Sequence, residues 1–282
     1  MSVDSSETPD CFSHCQQLLR DGNRQAWLAS LFCPADKRPY VQALYAFDHE
    51  IARIPSIVSE PALGEIRLQW WREVLEGERV SEAAAHPVSA ALMQTIAINK
   101  LPAVSLVHVI NARVFDLYND PMPTLSDLEG YCGEIGSTFF RLAAIILCDG
   151  ENPGGADACG HAGVAFKLTQ LLQALPKHAA RGQCYVPKDV LARHGALPQA
   201  VAAGVVSDPL CNAVAEVRAI TRSHLSAARA AMHALDKRAW PALVLLSQVE
   251  PLLRRMERGR HDPFADQIVL PQWRSQWAMW RW

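Results

Sequence analysis

YAFDHEIARIPSIVSEPALGEIRLQWW, residues 45–71, reads as two helices meeting across a short break, and the rest of the chain is organised around it. Phe47, Ile51 and Ile54 recur at steps of four and three, one apolar helical face, with Asp48, Glu50 and Arg53 off that stripe. Pro55 is expected to limit the first helix, because the residue before a proline is pushed out of the α region. Ser59 then reads as an N-cap, with Glu60 and Pro61 in the first turn. The second helix carries Leu63, Ile66, Trp70 and Leu75 as its apolar stripe, with Arg67 and Arg72 on other faces. A charged seam beside two tryptophans admits two readings: a reaction chamber, or a plain helical hairpin whose charges face water.

Helical spacing continues on both sides. Residues 10–32 carry Cys11, Cys15, Leu18 and Leu19 on one face, followed by Trp27, Leu28 and Leu31. Further helices are predicted over 88–98, 103–118, 124–147, 156–175, 188–194, 207–235 and 240–258. Thr124 and Asp127 form a capping signal, and Gly195 stops the 188–194 helix. Gly133 and Gly136 lower helix propensity, so a neighbouring helix or a ligand is expected to come close there. Residues 181–187 read as a structured turn and 196–206 as a loop of small residues. Nothing alternates with period two over a useful length. The expectation is a single all-α domain over 10–260, a helical bundle, after a disordered 1–9 and before a tryptophan-rich tail over 261–282.

Half of the 282 residues are hydrophobic, enough for one large core, and the net charge of -2 gives no general attraction to nucleic acid. The eight cysteines include no Cys-x-x-Cys pair. With no signal peptide at the N-terminus, free thiols in a reducing, cytoplasmic compartment are the natural reading. Cys11 and Cys15 share a helical face, but no second pair at zinc spacing follows. No apolar run reaches the roughly 20 residues that span a bilayer. In the tail, Trp273, Trp277, Trp280 and Trp282 cluster beside Arg274 and Arg281. That grouping admits membrane or partner contact on the inner face of a membrane, or folding back on the core.

Nucleotide-binding glycine motifs, a P-loop, His-Glu-x-x-His and Gly-x-Ser-x-Gly are all missing. Neither residues 45–71 nor the stretch from His161 to Lys188 carries an Asp-x-x-x-Asp pair that would aim two carboxylates at one magnesium ion. From His161 to Lys188 there is no acidic residue, while Lys167, Lys177, Arg181, His178 and the two end residues are basic. That patch suits an anion, or a solvated basic face, but supplies no magnesium ligands.

Several short segments, in order, resemble the squalene/phytoene synthase family: Tyr45-Ala46-Phe47, Leu68-Gln69-Trp70-Trp71-Arg72, Tyr131-Cys132, His161-Ala162-Gly163, Leu168-Thr169 and the run from Arg181 to Pro187. The resemblance covers roughly 11–255. It implies the isoprenoid synthase fold around a central cavity, and head-to-head condensation of farnesyl or geranylgeranyl diphosphates held by Mg²⁺ on two aspartate-rich motifs. In this chain those aspartate positions fall on Ala52, Arg53 and Ser56, and on Ala174 and His178, so no catalytic residue is expected. The family's arginine before the first motif falls on His49, its glutamine and asparagine before the second on Lys167 and Gln170, and a further arginine each on Gln173 and Gln183. Phe47, His49, Glu50, Tyr131, Lys167, His178, Arg181 and Tyr185 are the residues the resemblance places around the old cavity or an anion within it.

The segment from Phe47 to Ala52, then Ser59, Glu60, Leu63, Gly64, Arg67 and Trp71, is similar to the mitochondrial complex I assembly factors of phytoene-synthase type. That branch also lacks the aspartates. The resemblance therefore implies a pseudoenzyme without a cofactor, its partner a respiratory-complex subunit or assembly protein. Two alternatives stay open. One is an isoprenoid or lipid binder with an apolar tunnel beside Phe47, Tyr131 and Leu171. The other is an active prenyl transferase whose Mg²⁺ is held by at least two of Asp48, Glu50, Glu65 and Glu134.

Overall fold

A computed structural model of the chain describes residues 11–257, 262–264 and 268–282. The expected disorder over 1–9 and the residues 258–261 and 265–267 lie outside the described part. Among the described residues the regular structure is helical, with one isolated bridge between Gly154 and Leu235. In order the helices are α1 (Cys11–Gly22), α2 (Arg24–Ser30), α3 (Arg38–Ile57), α4 (Pro61–Glu76), α5 (Val80–Ala85), α6 (Pro87–Asn99), α7 (Ala103–Arg113) and α8 (Leu125–Cys132). There follow α9 (Thr138–Leu147), α10 (Ala156–Gln173), α11 (Leu175–Ala179), α12 (Lys188–Arg193), α13 (Pro198–Ala202), α14 (Asp208–Ala231), α15 (Val249–Met256) and α16 (Gln272–Trp280). A π turn (Gly133–Ser137) joins α8 to α9, and 3₁₀ segments follow α7 (Val114–Leu117) and precede α15 (Lys237–Gln248).

Helix α10 runs through the middle of the bundle, packed against α14, α9, the π turn and the 237–248 segment. Its approach to the π turn depends on two glycines. A Cβ on Gly136 would lie 2.6 Å from the carbonyl oxygen of Gly163, and one on Gly163 would lie 2.0 Å from the Ser137 nitrogen. Gly136 is thus explained by a neighbouring helix. Gly133 is not, since nothing lies within 4 Å of its Cβ position. The Thr124 hydroxyl caps α8 by accepting from the Asp127 N–H at 3.1 Å, and Ser207 caps α14 in the same way through Leu210.

The region 45–71 departs from its sequence reading in three ways. Helix α3 continues through Pro55 to Ile57. The lost N–H is tolerable there because only a partial turn follows. Glu60 is the residue that flanks α4, with extended backbone and no side-chain capping bond, rather than Ser59. The buried face of α4 is Gly64, Leu68, Trp71, Val74 and Leu75. Leu63 and Ile66 are 47% and 65% exposed, so their apolar character misdirected the stripe. Residues 10–32 form two helices rather than one, because Asn23 leaves helical geometry to accept from the Ala26 N–H. Residues 198–202, expected as loop, form α13.

None of the eight cysteines is paired in a disulfide. Burial raises Cys159 and Cys184 to about 11 and Cys33 to about 12. No helix among the described residues is long and apolar enough to cross a membrane.

Candidate functional site

Distant parts of the chain converge on one cavity of about 210 Å³, with Asn23 and Ile135 at its edge. Helix α3 brings Asp48, His49, Ala52 and Pro55 to its wall. The end of α7 and its 3₁₀ extension bring Arg113 and Asp116, and α8 brings Tyr131. From α10 onward come Lys167, Gln170, Leu171, Ala174, His178, Arg181, Gln183 and Tyr185. The last three are positioned by a tight turn. Gly182, at φ +74°, lets the His178 carbonyl accept from both the Arg181 and Gln183 N–H groups at 2.9 Å.

Charged side chains fill the centre. The Arg113 guanidinium donates to Asp48 Oδ1 at 2.9 Å and to Asp116 Oδ2 at 3.1 Å. Lys167 Nζ donates to the other oxygen of Asp48 at 3.4 Å. Asp116 Oδ1 accepts from both the Tyr131 and Tyr185 hydroxyls. Gln183 Nε2 donates to the Asp116 carbonyl at 3.3 Å, and Arg181 donates to the Pro55 carbonyl at 2.6 Å. Two cations thus face two carboxylates. Burial alone would raise the Asp48 carboxyl, but Lys167 and Arg113 outweigh it and hold it below the usual range. Burial lowers Lys167, against the pull of Asp48. It lifts both tyrosines far above their ordinary value, so they act here as donors. Burial also lowers His178 to about 4, leaving its ring neutral, with its centroid 4.6 Å from that of Tyr185 and the planes tilted by 53°.

The residues at the presumed aspartate positions are partly reunited. Ala52, Ala174 and His178 line this one cavity, while Arg53 lies in a separate outer groove with His14 and Asp21. Arg53 pairs there with Glu50 at 3.3 Å, and Ser56 donates to its carbonyl at 2.6 Å. Of the expected cavity residues, Phe47 lies fully buried against Trp71, with ring centroids 5.1 Å apart. Glu50 is outside the cavity wall.

Two methyls, a neutral imidazole, and two carboxylates already paired with buried cations do not suit Mg²⁺, which takes near-octahedral oxygen ligands. Among the described residues no group of three or more His, Cys, Asp or Glu side chains is placed to hold a metal ion. The four acids considered as replacements do not gather. Asp48 is held by Arg113 and Lys167, Glu50 by Arg53, Glu65 accepts from the Tyr118 hydroxyl at 2.6 Å, and Glu134 is exposed on the π turn. Of these four acids, Asp48 is the one that lines the cavity. Next to the charged cavity, and sharing Asp48, Lys167 and Gln170 with it, lies a pocket of about 40 Å³ whose other side is walled by Tyr45, Phe139, Phe140 and Phe166. Pockets for small organic ligands begin at roughly 300 Å³, so this space is small for a prenyl chain.

Arg113 and Asp116, the middle of the ion network, escaped the sequence reading. They sit in a stretch whose apolar spacing read only as core. A buried Arg and Asp three apart, on one helical face, was the available signal.

A bundle of helices around a central cavity, its charged wall reached from α3 and α10, defines an isoprenoid-synthase-like protein. The chain belongs to the squalene/phytoene synthase family, whose model matches residues 19–281. It is similar to the rat protein "NADH dehydrogenase (ubiquinone) complex I, assembly factor 6", at 28% identity over 91% of this chain and 77% of that one. It is also similar to a 15-cis-phytoene synthase of Synechococcus elongatus, at 22% identity over 94% and 90% of the two chains. Among solved structures, a dehydrosqualene synthase in complex with ligand superposes with a TM-score of 0.81 at 16% identity, covering 96% of this chain and 94% of that one. The squalene synthase HpnC from Alicyclobacillus acidocaldarius gives 0.74 at 23% identity, over 88% and 93%. Both likenesses show the fold.

Proposed function

We propose that this chain is a non-catalytic member of its family that serves as an assembly factor or scaffold for a respiratory NADH:ubiquinone oxidoreductase. It would work in the cytoplasm or at the inner face of the membrane. The observation that carries the reading is the ion network. Where the resemblance implies magnesium-bound diphosphate, Arg113 and Lys167 are occupied by Asp48 and Asp116. Ionising a diphosphate requires charge stabilisation at the leaving group, and cations already committed to carboxylates supply little of it. The identity to assembly factor 6 proteins gives the role its direction, and the small adjoining pocket disfavours an isoprenoid ligand.

Two measurements test this together. Purified chain with Mg²⁺ and farnesyl or geranylgeranyl diphosphate should release no condensation product. Deleting the gene in the source organism should lower membrane NADH:quinone oxidoreductase activity, and the intact chain should restore it. Magnesium-stimulated condensation, or a deletion that leaves the oxidoreductase at full level, would overturn the proposal.

A further inference from the structure

Helix α16 presents three tryptophans outward: Trp273, Trp277 and Trp280 are 64%, 55% and 72% exposed. The helix is nevertheless seated. Ser275 and Met279 on its other face are buried, α16 packs on the 237–248 segment, and Trp282 rests against the core. The tryptophan face is therefore a standing outer surface of the fold. Contiguous exposed apolar area of this kind marks an interaction site.

What surrounds it identifies the occupant. A groove of about 720 Å³ separates α16 from α15, lined by Arg229, Arg254, Arg255, Arg274 and Arg281, with Glu250 as the one carboxylate among the described residues that line it. Glu250 is already taken, by Arg254 at 2.7 Å and Arg222 at 3.3 Å. Arg274 and Arg281 lie over the Trp273 and Trp277 rings, at 5.0 and 5.8 Å from the centroids. Among the described residues no carboxylate pairs with Arg229, Arg255, Arg274 or Arg281. In a chain whose net charge is -2, this is a local excess of positive charge beside a tryptophan platform.

We propose that the α15–α16 groove and the tryptophan face dock on an anionic phospholipid surface, with lipid phosphates in the groove and the indoles at the headgroup boundary. Guanidinium forks match phosphate oxygens in bidentate geometry. Indole, an apolar body with one N–H, partitions to the interface. An acidic peptide would satisfy the arginines but give three side-by-side indoles no apolar depth to enter. The inference rests on this face alone and stands apart from the chamber and from the assembly role.

Flotation of the full chain with vesicles tests it, using pure phosphatidylcholine and an equimolar phosphatidylcholine–phosphatidylglycerol mixture. Strong flotation is expected with the anionic vesicles only, accompanied by a blue shift of tryptophan emission and weakened by added salt. Arg255→Gln, Arg274→Gln and Arg281→Gln together should lower the affinity on the order of a hundredfold, about fivefold per charge near the surface. Trp273→Ala, Trp277→Ala and Trp280→Ala together should abolish flotation. Matching melting curves for all three proteins show that the fold is intact. Equal binding to both vesicle types, or undiminished binding by either variant, would overturn the proposal. Concentration-dependent dimerisation without flotation would assign the face to a second copy, and capture of an acidic peptide without flotation would assign it to protein. Either result ends the lipid reading.

Discussion

Asp48 shows how much a single side chain can hold in this fold. It accepts from both Arg113 and Lys167 across 65 and 119 residues of sequence. Asp48→Asn would leave Lys167 without a counter-charge in a buried site, and such a loss costs about 3–5 kcal/mol. Urea unfolding should show it. Adding Lys167→Met should recover part of that loss, since Arg113 and Asp116 remain as a balanced pair. A double variant no more stable than Asp48→Asn would mean the network is not read correctly. His178 makes a second, pH-dependent prediction. Its folded value near 4 lies below its ordinary 6.5, so the unfolded chain takes the proton first. Its contribution is complete above pH 6.5 and is lost progressively as pH falls from 6.5 to about 4. The loss should be on the order of 3 kcal/mol over that window, and His178→Asn should unfold with a flatter pH profile. These residues also mark the limit of reading by eye. The missing aspartates were visible at Ala52, Ala174 and His178, because a resemblance names the positions to inspect. Arg113 and Asp116 were hidden because their partners come from α3, α8 and the 181–187 turn, and sequence distance conceals such meetings.

At the level of elements, the two glycines near the π turn should respond oppositely to the same change. Gly163→Ala forces a Cβ to within 2.0 Å of a backbone nitrogen, and no flexible neighbour can give way. It should cost more than about 3 kcal/mol, in the range of severe overpacking, or prevent folding. Gly133 has helical backbone, at φ -62°, and open space. Gly133→Ala should stabilise by about 0.5–1 kcal/mol. Thermal melts of both variants check the pair. The longer helices were legible, because apolar spacing and the Thr124 and Ser207 caps are local properties, whereas the short α13 was expected as loop. The face of α4 was not. Leu63 and Ile66 are apolar yet exposed, and Gly64, which packs on Leu117, carries no hydrophobic signal. Pro55 misled in the same way, since its cost falls on a final half-turn that α3 can spare.

The whole molecule is one continuous core around a charged centre, and its surface reactivity follows from that arrangement. Six of its thiols are buried, while Cys11 and Cys211 are partly exposed. Thiol titration of the native protein should therefore find two fast groups, and the remaining six only on unfolding. Four or more fast groups would mean that the core opens readily in solution. Overall architecture was the most legible level, because helical periodicity over the chain indicates an all-α domain and the family resemblance implies which bundle it forms. Function was the least, since a lost site is a local observation and a partner surface has no fixed motif.

The network of Asp48, Arg113, Asp116 and Lys167 also bears on the life of the protein in the cell. A protein that binds a ligand in its native state gains stability with the logarithm of ligand concentration, so its folded population rises and falls with supply. Here the counter-ions are part of the polypeptide, present at fixed stoichiometry from the moment of synthesis. The melting temperature should stay constant when Mg²⁺ and prenyl diphosphates are added. The amount of folded protein would then be set by expression and turnover alone, independent of the metabolic state of isoprenoid synthesis.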